Sequence, residues 1–187
     1  MEALIRKLES LNTATKSTID LLTTLFTKTE FKKGWMFGNG AWQSIPMLYY
    51  VPSGLIKGSV EYGEVSYPIW MLERGFLIPS TGFLSKKGIL EVIEVLKPTK
   101  AYALNLLRAE KLAENDVNLY KMLLEIYEEN VIEGRKRELM LRIPNVTNRL
   151  HYLIETSPEL EKALTVELMA QMLGVHKKYY YSIKKRR

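Results

Sequence analysis

The chain has 187 residues, of which 47% are hydrophobic and 26% charged, so it can bury the core of one large domain or two small ones. It contains no cysteine, which excludes disulfides, thiolate chemistry and cysteine-bound zinc or iron–sulfur clusters. The formal net charge of +6 lies entirely in the last twenty residues, where Lys and Arg occur without any acidic residue. Tyrosines are interleaved with these cations, a pattern that favours a nucleic-acid surface over a solubilising tail.

The sequence predicts a soluble cytoplasmic protein. The first helical segment carries Glu2, Arg6, Lys7 and Glu9 instead of the apolar core of a signal peptide. The longest uncharged run, residues 34–56, is interrupted by glycines and prolines, so it does not have the pattern of a membrane span.

The first half of the chain changes from helical to strand-like patterns. Residues 2–26 show a broken helical spacing of apolar residues, which predicts one or two N-terminal helices. From Phe31 onward, short runs rich in Tyr, Val, Ile and Trp alternate with Gly and Pro, which indicates an antiparallel sandwich or barrel. Tyr62-Gly63-Glu64 is a candidate hairpin turn between two such runs. The predicted fold class is therefore α+β.

The longest helix-like run covers residues 109–142, with acidic residues near its start and basic ones near its end, as the helix dipole favours. Gly134 is its one weak position. Its apolar residues form two stripes, one containing Leu112, Leu119, Leu123 and Ile126 and the other Tyr120, Leu124, Tyr127 and Val131. We assign Leu119, Leu123 and Ile126 to the seam of a homodimer. The alternative is a core helix covered on both sides by its own chain.

The C-terminal segment predicts two helices about a tight turn. Thr165 is a candidate N-cap for the first helix, and Gly174 is the break. A small Ala170 allows close helix approach, which fits the helix-turn-helix pattern. The buried positions of that pattern are filled by Met169, Leu173, Val175, Tyr180 and Ile183.

Together these segments resemble the Crp/Fnr family of bacterial transcription regulators over nearly the whole chain. FKKGW (31–35), LYYVPSGLIKG (48–58) and ERGFLIPSTGFL (73–84) are similar to the family's cyclic-nucleotide-binding-like β-roll, and LTVELMAQMLGVHKKYYYSIKK (164–185) to its DNA-reading unit. The resemblance implies three parts. They are N-terminal helices with a β-roll of jelly-roll type over residues 1–108, a dimerisation helix over 109–142 and a helix-turn-helix DNA-binding domain over 143–187.

The resemblance also implies a homodimer that reads a two-fold DNA site with one recognition helix per subunit. Its partners would be double-stranded DNA and a second copy of the chain, with RNA polymerase and a small-molecule effector as further candidates. The residues that would face the major groove are His176, Lys177, Lys178, Tyr181 and Ser182. Those that would serve phosphates are Lys184, Lys185, Arg186 and Arg187.

Two departures from the family pattern bear on ligands. Cyclic-nucleotide binders carry a Glu just after the glycine that corresponds to Gly75 and an Arg several residues later, and this chain has neither in residues 76–83. The candidate effector pocket, Gly75, Ser80, Thr81 and Phe83, suits a neutral or hydrophobic ligand or packing without a ligand, and we expect no cofactor.

The second departure concerns DNA. Ser182 stands where family members usually carry Arg, the side chain best shaped for guanine. The alternative function is therefore an effector-binding or scaffold module whose helix-turn-helix no longer binds DNA specifically.

An enzyme is not expected. The two histidines, His151 and His176, both lie in the helical C-terminal part, which excludes a His-rich metal site in the predicted sheet. The sequence shows no Ser-His-Asp arrangement and no phosphate-cradling glycine loop.

Overall fold

A computed structural model describes residues 1–37, 46–79, 84 and 91–185. Two short helices, α1 (Glu2–Glu9) and α2 (Lys16–Leu25), precede the sheet, as the broken apolar spacing predicted. Leu4 and Leu8 lie one helical turn apart and are both buried, because their spacing puts them on one face of α1. α2 begins in a capping box, in which the Thr15 and Thr18 side chains each bond the other residue's backbone N–H.

The sheet is antiparallel throughout its described strands. These are β1 (Thr27–Phe31), β2 (Met36–Phe37), β3 (Met47–Tyr62), β4 (Val65–Leu72), β5 (Gly75–Leu77) and β6 (Val92–Asn105). The strand order is β1-β6-β3-β4, with β2 paired to β6 and β5 to β3. Gly63 has a φ of 62° at the turn between β3 and β4, so the predicted hairpin turn is confirmed.

The interior of this β-roll is filled by its own side chains. Phe31, Phe37 and Tyr49 form a triangle of rings whose centroids lie 4.8 to 5.5 Å apart. Aliphatic residues surround the rings: Val51, Ile56, Leu77, Ile93 and Val95. The predicted α+β class with a β-roll is therefore confirmed.

The long helix-like run is two helices. α3 (Leu106–Ala113) is followed by a break at residues 114–116, and α4 covers Val117–Arg142. The Asp116 carboxylate accepts hydrogen bonds from the backbone N–H groups of Asn118 and Leu119, which fixes the start of α4. The prediction of one continuous helix over residues 109–142 is wrong at this point. α4 runs unbroken through Gly134, the position expected to be weak.

One face of α4 packs into the chain's own core. Leu119 and Ile126 are both 0% exposed and contact a cluster built from α1, α2 and the sheet, and Leu123 is partly buried against the same cluster. The prediction of Leu119 and Ile126 as seam residues of a dimer is wrong, because neither side chain is available to a second chain. α1 and α2 occupy the space that a partner helix would need.

Four more helices follow α4 within the described residues. They are α5 (Val146–Thr156), α6 (Pro158–Ala163), α7 (Val166–Met172) and α8 (Lys177–Lys184). Their apolar side chains enclose a second core that includes Met140 of α4 and also Leu55 and Met71 of the sheet. The C-terminal helices therefore pack directly on the β-roll. Within the described residues, no helix combines the length and hydrophobicity that crossing a membrane requires.

A single carboxylate ties the N-terminal helices to α4. Glu125 accepts hydrogen bonds from the backbone N–H groups of Asn12 and Thr13 at 2.8 Å and from both of their side chains. Burial acts to raise the pKa of Glu125, but the hydrogen bonds from Thr13 and Asn12 outweigh it, and the pKa falls to about 2. Glu125 therefore holds the turn between α1 and α2 as long as it is ionised.

This clamp predicts a pH dependence of stability. Because the folded-state pKa lies below the unfolded value, the stabilisation from Glu125 is fully present above about pH 5 and is lost as the pH falls towards 2. Glu125→Gln should lower the free energy of unfolding at pH 7 by about 1–2 kcal/mol. Thermal unfolding followed from pH 7 to pH 2.5 should show a shallower pH dependence in the variant than in the wild type. Glu128→Gln, at an exposed neighbouring position, is the control, and parallel curves for Glu125→Gln and wild type would contradict the clamp.

Candidate nucleic-acid interface

Helices α7 and α8 are joined by a tight turn with the local features that the sequence predicted. The Thr165 hydroxyl accepts a hydrogen bond from the Leu168 N–H at 3.3 Å and caps α7. Gly174 adopts a φ of 69°, and the Val175 N–H reaches back to the Ala170 carbonyl at 2.9 Å. These residues, 165–185, are called the α7–α8 unit below.

One face of α8 is anchored in the second core. Tyr180 is only 4% exposed and lies with Met169 of α7 and with Leu173 just after it, and Ile183 is partly buried against the same cluster. The predicted buried positions are confirmed for Met169, Leu173 and Tyr180, whereas Val175 and Ile183 are partly buried against the same cluster. Tyr180 fills its position with a whole ring, so α8 is held by a large apolar contact as well as by the turn.

The opposite face of α8 is exposed and basic. Its exposed side chains are those of Lys177, Lys178, Tyr181, Ser182, Lys184 and Lys185, and His176 is exposed at the N-cap. At 100° per residue, Lys177, Lys178, Tyr181 and Lys185 share one side of the helix. The structure therefore brings the sequence-predicted cations together with a phenol. Arg186, a predicted phosphate contact, and Arg187 lie outside the described residues.

Three of these exposed side chains already have intramolecular contacts. The His176 Nδ1 accepts a hydrogen bond from the Lys178 backbone N–H at 3.3 Å and so caps α8. The Lys177 ammonium lies 3.6 Å from the Glu167 carboxylate, an exposed pair that costs little to open. The Ser182 hydroxyl donates to the Tyr179 carbonyl at 2.7 Å, so its proton is used within α8. The Ser182 hydroxyl can still accept a hydrogen bond from a ligand, but it cannot provide the several donors of an arginine guanidinium.

Sequence reasoning missed Arg149, a residue of α5 that positions the α7–α8 unit. Its Nε donates to the Ile143 carbonyl at 2.7 Å and its Nη1 to the Leu173 carbonyl at 2.9 Å. The guanidinium thus joins the end of α4 to the end of α7. Nothing in the local sequence separates Arg149 from a solvated arginine, because both of its acceptors are backbone groups brought close only by folding.

A second surface feature is an apolar stripe on α4. Val117, Tyr120, Leu124, Tyr127 and Val131 follow one another at spacings of three and four residues. Four of them are exposed, with Leu124 at 55% and Val131 at 61%, and Tyr127 is partly buried. The Tyr127 hydroxyl is buried and has no hydrogen-bond partner within the described part of the chain. Burial, with a smaller contribution from Glu110, raises the pKa of Tyr127 to about 12.

Comparisons with known proteins bear on the fold. The sequence matches no family model and no curated protein. Among solved structures, a protein from Eubacterium rectale assigned to the crp/fnr family of transcriptional regulators is similar with a TM-score of 0.68 at 14% identity, over 94% of this chain and 84% of that one. The chain has the Crp/Fnr fold.

Further structures carry the same Crp/Fnr fold. The c-di-GMP responsive global regulator CLP of Xanthomonas campestris matches with a TM-score of 0.64 at 13% identity, over 92% of this chain and 91% of CLP. A cyclic nucleotide-binding domain containing protein from Listeria monocytogenes matches with a TM-score of 0.66 at 10% identity, over 99% of this chain and 88% of its own. The resemblance read from the sequence is confirmed at the level of the fold.

The predicted effector pocket lies only partly within the described residues. Gly75, the first predicted pocket residue, begins β5 with a φ of 129° and pairs with Val51 of β3. The other three, Ser80, Thr81 and Phe83, lie outside the described residues. Val51, which pairs with Gly75, lies in the core cluster that also contains Phe31, Phe37 and Tyr49, and burial raises the pKa of the Tyr49 phenol.

Proposed function

We propose that this protein is a DNA-binding transcription regulator of the Crp/Fnr type. The observation that carries the proposal is the exposed basic face of α8, opposite a buried face that fixes the helix in place. An α-helix is about 10–12 Å across with its side chains, which fits the width of about 12 Å of the major groove. Lys177 and Lys178 stand at the N-terminal end of the helix, the end that reads base edges in helix-turn-helix proteins.

Two sets of cations have different tasks in this proposal. Lys177 and Lys178, with Tyr181, face base edges and give sequence preference. Lys184 and Lys185, at the far end of α8, neutralise phosphates and contribute affinity that falls steeply with salt. The other predicted contacts, His176, Ser182 and Arg186, complete the DNA-facing set.

The functional unit is a homodimer joined through the apolar stripe on α4. Because Leu119 and Ile126 are buried in each chain, the seam is the second stripe, with Tyr120, Leu124 and Val131 at its centre. Two parallel copies of α4 would pack this stripe as a short coiled coil of about two heptads. One recognition helix from each copy then meets one half of a two-fold DNA site.

The effector in this proposal is not a cyclic nucleotide. The described interior of the roll is filled by side chains of the chain itself, and the sequence of residues 75–85 contains no Lys or Arg. A cyclic phosphate buried without a cation loses its hydration without compensation. Calorimetric titration with cyclic AMP and with cyclic GMP to millimolar concentration should show no binding. A micromolar dissociation constant that is lost in Thr81→Ala would contradict this expectation.

The test of the proposed function is selection from a random pool of double-stranded DNA, at low and at moderate salt, followed by gel-shift titration. We expect enrichment of a site with two-fold symmetry. The competing function is an effector-binding or scaffold module without sequence-specific DNA binding, which is favoured by the Ser182 hydroxyl bonding within its own helix. Retention of DNA at low salt only, with no enriched sequence, would support that module and overturn the regulator.

A further inference from the structure

Arg137 is the point where three parts of the fold meet. It lies in α4, one turn before the buried Met140, and is itself partly buried. Its Nη2 donates to the Pro68 carbonyl of β4 at 2.7 Å, and its Nη1 contacts the Met172 sulfur of α7 at 2.7 Å. One side chain of α4 thus bridges the β-roll and the α7–α8 unit.

The positive charge of the Arg137 guanidinium has no counter-ion in the described part of the chain. The neighbouring Arg135 and Lys136 each pair with a glutamate at the surface, whereas the ion pairs among the described residues include none with Arg137. Burial lowers the pKa of Arg137 to about 10, so the side chain is still charged at neutral pH. An unpaired, partly buried cation is a poor source of stability. The role of Arg137 therefore rests on the geometry of its contacts and not on a contribution to stability.

The sheet supplies the acceptor for a structural reason. β4 ends the strand order β1-β6-β3-β4, so one side of it makes no ladder hydrogen bonds to another described strand. The register shifts between Gly58 and Ser59, so that Trp70 and Pro68 are paired to β3 and Ile69 is the extra residue. This irregularity at the sheet edge is where the Pro68 carbonyl meets Arg137.

Apolar contacts continue the same junction. Met71 of β4 and Leu55 of β3 lie in one cluster with Met172 and Leu173 of the α7–α8 unit. These side chains are flexible or aliphatic and fix no particular angle between the parts. The guanidinium of Arg137 does fix an angle between these parts, because it is planar, carries several donors and makes both contacts at once.

We propose that Arg137 is a positioning residue that sets the angle between α4 and the recognition helix α8. If the proposed function holds, this angle sets the separation of the two recognition helices in the dimer. Arg137 then determines the spacing of half-sites that the protein accepts and leaves the base preference within each half-site unaffected.

The variant that tests this is Arg137→Met. Methionine keeps most of the aliphatic volume and removes a poorly paired buried charge, so the melting temperature should be maintained or raised. The directional contacts to Pro68 and Met172 are lost. A role confined to stability would instead lower the melting temperature. Arg135→Met, an exposed arginine on the same helix, is the matched control.

The absence of cysteine allows the angle to be measured without DNA. Spin labels on Lys121→Cys, on the exposed side of α4, and Gln171→Cys, on the exposed side of α7, report the distance between α4 and the α7–α8 unit. Labelled chains are diluted into unlabelled protein so that only distances within one chain contribute. We expect one narrow distance distribution in the wild type and in Arg135→Met, and a broad or shifted one in Arg137→Met. A distribution that Arg137→Met leaves unchanged would overturn the proposal.

The DNA measurement uses the selected two-fold site with its spacer lengthened or shortened by one base pair. The wild type should lose about tenfold or more in affinity with either change, and Arg137→Met less than about threefold. A changed base preference within the half-site would contradict a positioning role. If the wild type selects no DNA site, the proposed function fails, and the distance measurement still decides the role of Arg137.

Discussion

Replacing Lys177 and Lys178 together by alanine should reduce affinity for the selected DNA site by about 30- to 1,000-fold. Each lysine that donates to a base edge contributes about 1–2 kcal/mol of discrimination, the lower part of the range for a base contact, and the two stand side by side at the start of the exposed face of α8. Both side chains are exposed, so the variant should fold normally. The loss should be largest for the preferred sequence and small for unrelated DNA, as measured by fluorescence anisotropy.

Two matched variants separate this effect from general electrostatics. Lys111→Ala with Lys121→Ala removes the same charge from exposed positions on α3 and α4 and should change affinity little. Lys184→Ala with Lys185→Ala should weaken binding to all sequences alike. It should also reduce the slope of log affinity against log salt concentration by about two, or about one for each lost phosphate contact. If the Lys177 and Lys178 variant binds the selected site as the wild type does, α8 does not read this DNA.

Replacing Leu124 and Val131 together by lysine should convert the dimer to a monomer at micromolar concentration. In the single chain both side chains are exposed, at 55% and 61%, so the substitution places charge in water and the fold is retained. In a dimer the same positions face their symmetry mates, and four ammonium groups would have to be buried together. Sedimentation equilibrium measures the mass, and circular dichroism verifies the helix content.

The control for this prediction lies on the neighbouring face of the same helix. Ile132 and Leu139 are also apolar and exposed, but they fall outside the three-and-four spacing of the stripe. Their replacement by lysine should leave the dimer intact. A wild type that sediments as a monomer, or a Leu124 and Val131 variant that is still a dimer, would contradict the seam. Leu119→Lys tests the corrected assignment separately, since a charge at this fully buried site should unfold the chain.

Local signals in the sequence were sufficient where the structure depends on neighbours along the chain. Thr165 and Gly174 bound α7 because a cap hydroxyl and a positive φ act within a few residues. Gly63 marks the β3–β4 turn for the same reason. The exposed and buried faces of α8 follow from helical geometry once its ends are known. The break before α4 also has a local signal, the capping residue Asp116. The helical spacing of apolar residues continues across this position, so the spacing predicted one helix.

Only the tertiary structure decided which stripe of α4 is buried. Both stripes are apolar with helical spacing, so periodicity cannot rank them, and the choice depends on α1 and α2 folding back over Leu119 and Ile126. The same holds for Arg137 and Arg149. In the sequence Arg137 belongs to an ordinary basic run and Arg149 is an isolated arginine. Neither stands out, because their acceptors, the carbonyls of Pro68 and Leu173, are 69 and 24 residues away. Backbone acceptors carry no side-chain signature, and long-range packing alone brings them within reach of an arginine.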